Sequence, residues 1–309
     1  MKRSARAVDR SGVLARHVLP GRTYLLTRRC SERRFFLRPS AELNAIFEYA
    51  LARAVSMTGM KVHGWVVMSN HIHIVATDTY AERPRFMALL NTEVAKAGSA
   101  LIGRWDGFWE PGRSYSAVEL LDAKAVVEKL AYTWANPVSS RLVRRARRWP
   151  GSTSARRRFG DTVVAQRPKG GYYASSVQPE SYAFELEAPP NMDALECDRL
   201  VRAQVRRLEK ETEDALRGAG SKFLGEKRVL RQNPNDSPTT WEKRRGRNPT
   251  FASRDKWARI EAAQRNTEWL AAYAEALDTL RGGFKDVLFP VGTWLMVRRY
   301  GFGCEPMRA

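Results

Sequence analysis

The chain has 309 residues, 43% of them hydrophobic, and 53 Lys+Arg against 33 Asp+Glu give a formal net charge of +20 at pH 7. That hydrophobic share supports a core and excludes wholesale disorder, while the length allows one large domain or two modest ones. The excess of positive charge argues against an ordinary enzyme of small neutral substrates and for a polyanionic partner, nucleic acid before an anionic membrane.

In chain order, the basic start MKRSARAVDR is followed by no apolar run. No later stretch approaches the roughly 18 uninterrupted apolar residues of a membrane span, so a cytoplasmic protein without a membrane partner is expected. Cys30, Cys197 and Cys304 are far apart and odd in number, which reads as thiols in a reducing compartment. Residues 23–30 (TYLLTRRC) predict a strand that continues through residues 34–37. Pro39-Ser40 opens a helix in which Leu43, Ile46, Phe47, Ala50, Leu51 and Val55 recur at three and four residues. Residues 61–68 and 71–77 predict two strands joined by the turn chemistry of Ser69-Asn70. Residues 83–102 predict a helix, 115–120 a strand, and 123–135 a helix ended by Asn136-Pro137.

This order predicts an α+β fold: a ferredoxin-like, split βαβ antiparallel sheet covered by helices. A mostly helical C-terminal region follows it. Residues 151–192 are rich in Gly, Ser, Pro and Tyr, and 156–192 read as a connector. Residues 193–218 then predict a helix, as do about 254–280, with Trp257, Ile260, Trp269, Leu270, Tyr273 and Leu277 as the apolar side. Residues 287–297 look strand-like, interrupted by Pro290 and Gly292. The organisation is thus a domain over 15–155, a connector over 156–192 and an accessory region over 193–309 that is a candidate for DNA contact.

Charge is uneven along the chain. The first 150 residues carry 25 Lys+Arg against 12 Asp+Glu, which is +13 of the +20. Arg28, Arg29, Arg33 and Arg34 form one cluster, and Arg141, Arg144 and Arg145 lead another. Either could track a phosphate backbone, and either could be a solvated face, although solvated faces usually mix signs.

Two groupings carry possible chemistry. In His71-Ile72-His73 on a strand, both imidazoles project from one face while Ile72 enters the core. Two such rings can share one divalent cation, or simply hydrogen-bond to neighbours. Tyr132 and Asn136 stand four apart on one face of a helix. They pair a phenol, which can serve as a nucleophile when its charge is stabilised, with a polar amide. The alternative is a packing aromatic and a helix cap.

Together these pieces resemble a known family. Met68-Ser69-Asn70-His71-Ile72-His73-Ile74-Val75 is similar to the HUH motif of single-tyrosine transposases, and Tyr132-Thr133-Trp134-Ala135-Asn136-Pro137-Val138 to their tyrosine helix. Trp105-Asp106-Gly107-Phe108-Trp109 and Trp149-Pro150-Gly151-Ser152 also fit that pattern. The branch it most resembles is the REP-associated tyrosine transposases, over about residues 15–155. The resemblance implies the HUH nuclease fold, with His71, His73 and Asn136 binding Mg²⁺ or Mn²⁺. It implies that Tyr132 attacks a phosphate of single-stranded or hairpin DNA to give a 5′-phosphotyrosine link, followed by strand transfer.

Ser69 stands where relatives often have Pro, and Asn136 where others use Gln or Glu, a weaker ligand than a carboxylate. Trp105, Trp109 and Tyr115 are candidates for stacking on bases, with core packing as the alternative. The basic run at 241–247 is a candidate DNA-contacting loop. The expected partner is DNA, for a nucleoid-associated monomer or homodimer that uses no small-molecule cofactor. A catalytically silent, sequence-specific DNA-binding protein is the competing expectation. A relaxase-like initiator is disfavoured by the single well-placed tyrosine and the lack of a P-loop.

Overall fold

The computed structural model describes residues 15–112, 114–174, 177–240 and 249–306. Strand β1 (Arg22–Arg29) leads into helix α1 (Ala41–Thr58), which Ser40 starts by accepting a hydrogen bond from the Leu43 N–H at 3.1 Å. The hairpin of β2 (Lys61–Met68) and β3 (His71–Asp78) follows, then α2 (Arg83–Ile102), β4 (Ser116–Leu120) and α3 (Ala123–Ser139).

The sheet order is β2-β3-β1-β4, every pair antiparallel. Because β3 lies between β1 and β2, and β1 between β3 and β4, each βαβ crossover is split by the strand of the other. This is the ferredoxin-like arrangement that the order of elements predicts. Helices α1 and α2 cover one face with Phe47, Leu51, Phe86 and Leu90, against Leu26, Trp65, Ile72 and Ile74. Helix α3 covers the other with Leu130, Trp134 and Val138, against Leu25, Val66 and Val75. Burial on both faces explains why β3 reads as a nearly continuous apolar run rather than an alternating one.

Further along come β5 (Thr162–Gln166), β6 (Ser181–Glu185), α4 (Ala194–Gly218) and α5 (Glu226–Leu230). After them lie β7 (Phe251–Ala252), α6 (Lys256–Arg281), β8 (Leu288–Phe289), α7 (Leu295–Arg298) and β9 (Gly303–Cys304). Strand β7 pairs in parallel with β4, extending the main sheet to five strands. Helix α4 joins the α3 layer through Cys197, Val201 and Val205, so it completes this core instead of standing apart. A third cluster unites Trp269, Tyr273 and Leu277 of α6 with Phe289 and Met296.

Four stretches differ from expectation. Strand β1 stops at Arg29, and residues 34–37 do not continue it, because Glu32 (φ 51) and Arg33 (φ 60) turn the chain through the left-handed region. Helix α3 passes through Asn136-Pro137 to Ser139; in a last turn proline forfeits a single backbone bond, and the Asn136 and Pro137 carbonyls are capped by the Ser140 and Leu142 N–H groups. Within 156–192, β5 and β6 form a hairpin that buries Val163, Ala165, Phe184 and Leu186 against the α1 layer. Its signal, alternation in Thr162–Gln166, is hidden among the glycines and tyrosines that follow. Residues 287–297 give only the short β8 and the turn of α7, because Pro290 and the left-handed Gly292 (φ 85) prevent a longer strand. Trp257, expected on the apolar side of α6, is exposed. The basic run at 241–247 lies outside the described residues.

Candidate active site

The Ser69-Asn70 turn delivers the chain into β3 at His71, next to β1 on one side and β2 on the other. The register sets His73 opposite Thr27 and Val66, and His71 opposite Arg29 and Met68. Ile72 is fully buried on the α1–α2 face. Both histidines therefore face α3, and their ring centroids lie 4.8 Å apart.

How α3 approaches is set by a tryptophan–serine network. The Trp134 Nε1–H donates to Ser154 Oγ at 2.7 Å, the same oxygen accepts the Trp65 backbone N–H at 2.9 Å, and Trp65 Nε1–H donates to Ser152 Oγ at 2.9 Å. Trp149 Nε1–H donates to the Val67 carbonyl at 2.8 Å. Close contact is possible because Gly64 lacks a side chain: a Cβ there would stand 2.8 Å from Leu130 Cδ2 and 3.0 Å from Trp134 Nε1. With Trp134 fixed inward, Tyr132 emerges beside the histidines, its ring centroid 5.3 Å from that of His73. The three groups meet within one chain. Tyr132 keeps 41% of its surface exposed, enough for a phosphate on a large substrate to reach it.

The imidazoles are oriented from behind. Asn70 Nδ2 donates to the Arg33 carbonyl at 3.0 Å, which fixes the amide so that its Oδ1 accepts from His71 Nδ1–H at 2.7 Å. In the neutral ring this puts the lone pair on Nε2. His73 Nδ1 pairs with Thr27 Oγ1 at 2.7 Å, and when that hydroxyl accepts, His73 takes the same tautomer. Such hydrogen bonds are the usual support of metal-binding histidines. Neither Asn70 nor Thr27 stands out in the sequence as a site residue; the contact between them and the rings depends on the sheet register.

Asn136 is buried one turn beyond Tyr132, its Oδ1 accepting weakly from the Ser140 hydroxyl at 3.4 Å. Lys129, which the motif does not include, places its Nζ 5.6 Å from the centre of the Tyr132 ring. Its signal was available as a cation three residues before the tyrosine on the same helix.

The basic and aromatic candidates divide. Arg29 lies across from His71, on the face of the site. Arg28 points to the opposite face, its guanidinium 5.6 Å from the Trp109 ring. Arg33 donates to the Thr240 carbonyl, and Arg34 to the Asn235 carbonyl and to Glu32, so both hold the chain's own segment 235–240. Arg144 and Arg145 pair with Glu213 of α4, at 2.5 and 3.2 Å, and serve to fasten that helix. Arg141 is exposed at the end of α3. Trp105 is wholly exposed, whereas Trp109 is half-buried, donating from Nε1 to the Asn91 carbonyl at 2.8 Å. Tyr115 is buried beneath the Arg16 guanidinium and is closed to a base.

No family model matches the chain, and no curated protein matches it. Among solved structures the chain is similar to a REP-associated tyrosine transposase bound to a REP hairpin. The identity is 17% and the TM-score 0.38, over 59% of this chain and 95% of that one. Among the described residues, no helix is long and apolar enough to cross a membrane.

Proposed function

We propose that this chain is a metal-dependent, single-tyrosine DNA nickase and strand transferase that acts on single-stranded or hairpin DNA, as its HUH-like motif implies. The observation that carries this reading is the convergence of Tyr132, His73 and His71, with ring centroids 5.3 and 4.8 Å apart in succession. Two buried-side hydrogen bonds orient the imidazoles, and the phenol beside them is accessible. For core packing alone neither the oriented rings nor the exposure is needed.

In the reaction, the Tyr132 phenol oxygen attacks the scissile phosphorus and the bond to the 3′ oxygen breaks. The phenol proton passes to the departing oxygen, leaving a 5′-phosphotyrosine and a free 3′-hydroxyl. Because one phosphodiester replaces another, attack by a 3′-hydroxyl reverses the step and completes strand transfer without an external energy source. Lys129 lies over the Tyr132 ring, where its charge favours the phenolate, and Arg29 stands opposite His71 on the same face of the sheet.

Mg²⁺ or Mn²⁺ is the ion the resemblance implies, and the two imidazoles, held from behind by Asn70 Oδ1 and Thr27 Oγ1, would hold it with the neutral Asn136 amide as third ligand. Among the described residues no three His, Cys, Asp or Glu side chains gather, so an amide in place of a carboxylate makes this a modest-affinity site. When bound, the ion supplies Lewis-acid stabilisation of charge on the phosphoryl oxygens.

The test is incubation of the protein with a hairpin oligonucleotide carrying single-stranded flanks, with Mn²⁺. A covalent protein–DNA adduct absent from Tyr132→Phe is expected. Tight hairpin binding with no adduct across metals and substrates would instead make the chain a silent DNA-binding protein.

A further inference from the structure

A cavity of about 390 Å³ lies on the other face of the sheet, between α2, the start of β4 and the α6–α7 unit. Its volume is that of a small-ligand site. The nicking chemistry above makes no use of it.

Three residues that line it each carry a buried polar atom without a hydrogen-bond partner: Asn91 Oδ1, Thr293 Oγ1 and Trp294 Nε1. Folded proteins leave few such groups unpaired, and here an acceptor, a hydroxyl and a donor belong to three residues of one wall, each just beneath its surface. The same wall holds Arg16, whose guanidinium lies 3.8 Å from the Tyr115 ring centre and donates to the Tyr115 carbonyl at 2.6 Å and Ser114 Oγ at 3.2 Å. Among the described residues no carboxylate pairs with it. Burial, together with the nearby Arg83 guanidinium, holds the Arg16 pKa below its ordinary value. A sheltered cation beside another cation favours an anion. Flat aromatic and guanidinium surfaces, edge-reading polar atoms and an uncompensated positive charge are the chemistry that receives a nucleotide.

We propose that this cavity takes one unpaired nucleotide of the bound DNA strand, its base against Trp294 with edges toward Asn91 and Thr293, and its phosphate on Arg16. The inference rests on the DNA reading above and adds to it a base-selective site. Neighbouring residues of β1 serve the two sites: Thr27 faces His73, while Arg28 lines the cavity. A strand passing the end of β1 is therefore engaged on both faces of the sheet.

The test uses the full chain without divalent metal and a hairpin oligonucleotide with a ten-nucleotide single-stranded flank, in which an abasic residue is walked through the flank and affinity read by fluorescence anisotropy. One position is expected to weaken binding about tenfold, as loss of a stacked base does. Thr293→Val and Asn91→Leu are expected to erase that positional penalty while leaving the melting temperature unchanged or raised, because each removes a buried unpaired group. Arg16→Gln is expected to reduce the salt slope by about one phosphate contact. Binding with a flat abasic scan overturns this inference and leaves the nicking proposal standing. Failure to bind any oligonucleotide overturns the DNA reading itself. A flat scan with tight calorimetric binding of mixed deoxynucleoside monophosphates assigns the cavity to a free nucleotide, and a lowered melting temperature in Thr293→Val with the penalty intact makes the cavity wall structural; either refutes the proposal.

Discussion

Replacing Asn70 separates the orientation of a histidine from the histidine itself. Asn70 Oδ1 accepts from His71 Nδ1–H at 2.7 Å, while Nδ2 holds the Arg33 carbonyl at 3.0 Å. Asn70→Ala removes both bonds, so the ring loses its fixed tautomer and rotation. Loss of such a supporting hydrogen bond typically lowers metal affinity about 10–100-fold, equivalent to roughly 1.4–2.7 kcal/mol. Asn70→Asp keeps an acceptor for Nδ1 and loses only the bond to Arg33, so it is expected to retain most of the affinity. Calorimetric titration of Mn²⁺ into wild type and both variants measures this. If Asn70→Ala binds Mn²⁺ as wild type does, the orienting role is refuted. If both variants lose affinity equally, the effect comes through the Arg33 loop and not the imidazole.

Ser154→Ala orphans two buried donors, the Trp65 backbone N–H and Trp134 Nε1–H, at about 1–3 kcal/mol each; a loss of roughly 2–6 kcal/mol is expected in urea denaturation, and less than about 0.5 would contradict the network's role in seating α3. His63 is fully buried, donates to the Glu187 carbonyl and accepts from Thr77, and burial lowers its pKa to about 4. The unfolded imidazole titrates near 6.5, so its contribution is complete above that pH and is lost as pH falls toward 4, by about 3 kcal/mol; His63→Gln should flatten the decline in stability between pH 7.5 and 4.5, and an equal decline in both proteins would contradict this. Trp105 is fully exposed, so Trp105→Ala should leave the melting temperature unchanged while weakening single-stranded DNA binding by about 1–3 kcal/mol; unchanged binding would remove Trp105 from the DNA surface.

The βαββαβ core was legible because its signals are local. Helical spacing from Leu43 to Val55, the Ser69-Asn70 turn and two apolar strands fix the elements, and the handedness of crossovers leaves few ways to join them. The pairing of His71 with His73 follows from strand alternation alone. Less legible were features decided by distant parts of the chain. Arg144 and Arg145 look like free cations in sequence, but Glu213, nearly seventy residues later, lies on a helix packed beside them. Tyr115 looks like a stacking residue until Arg16 covers it. The hairpin at Thr162–Gln166 and Ser181–Glu185 was masked by turn-forming composition, since within its two strands only Val163, Ala165 and Phe184 carry the buried face. Asn70 and Thr27 acquire their role only once register sets them against the two rings.

The central claim is that Tyr132 is the nucleophile. Trypsin cleaves after Lys129 and Arg141, so residues 130–141 form one peptide with Tyr132 as its single tyrosine. After reaction with a hairpin oligonucleotide and Mn²⁺, nuclease and trypsin digestion followed by mass spectrometry should find that peptide carrying a 5′-linked nucleotide on Tyr132. A modification on any other residue, or an adduct that persists in Tyr132→Phe, would contradict the account.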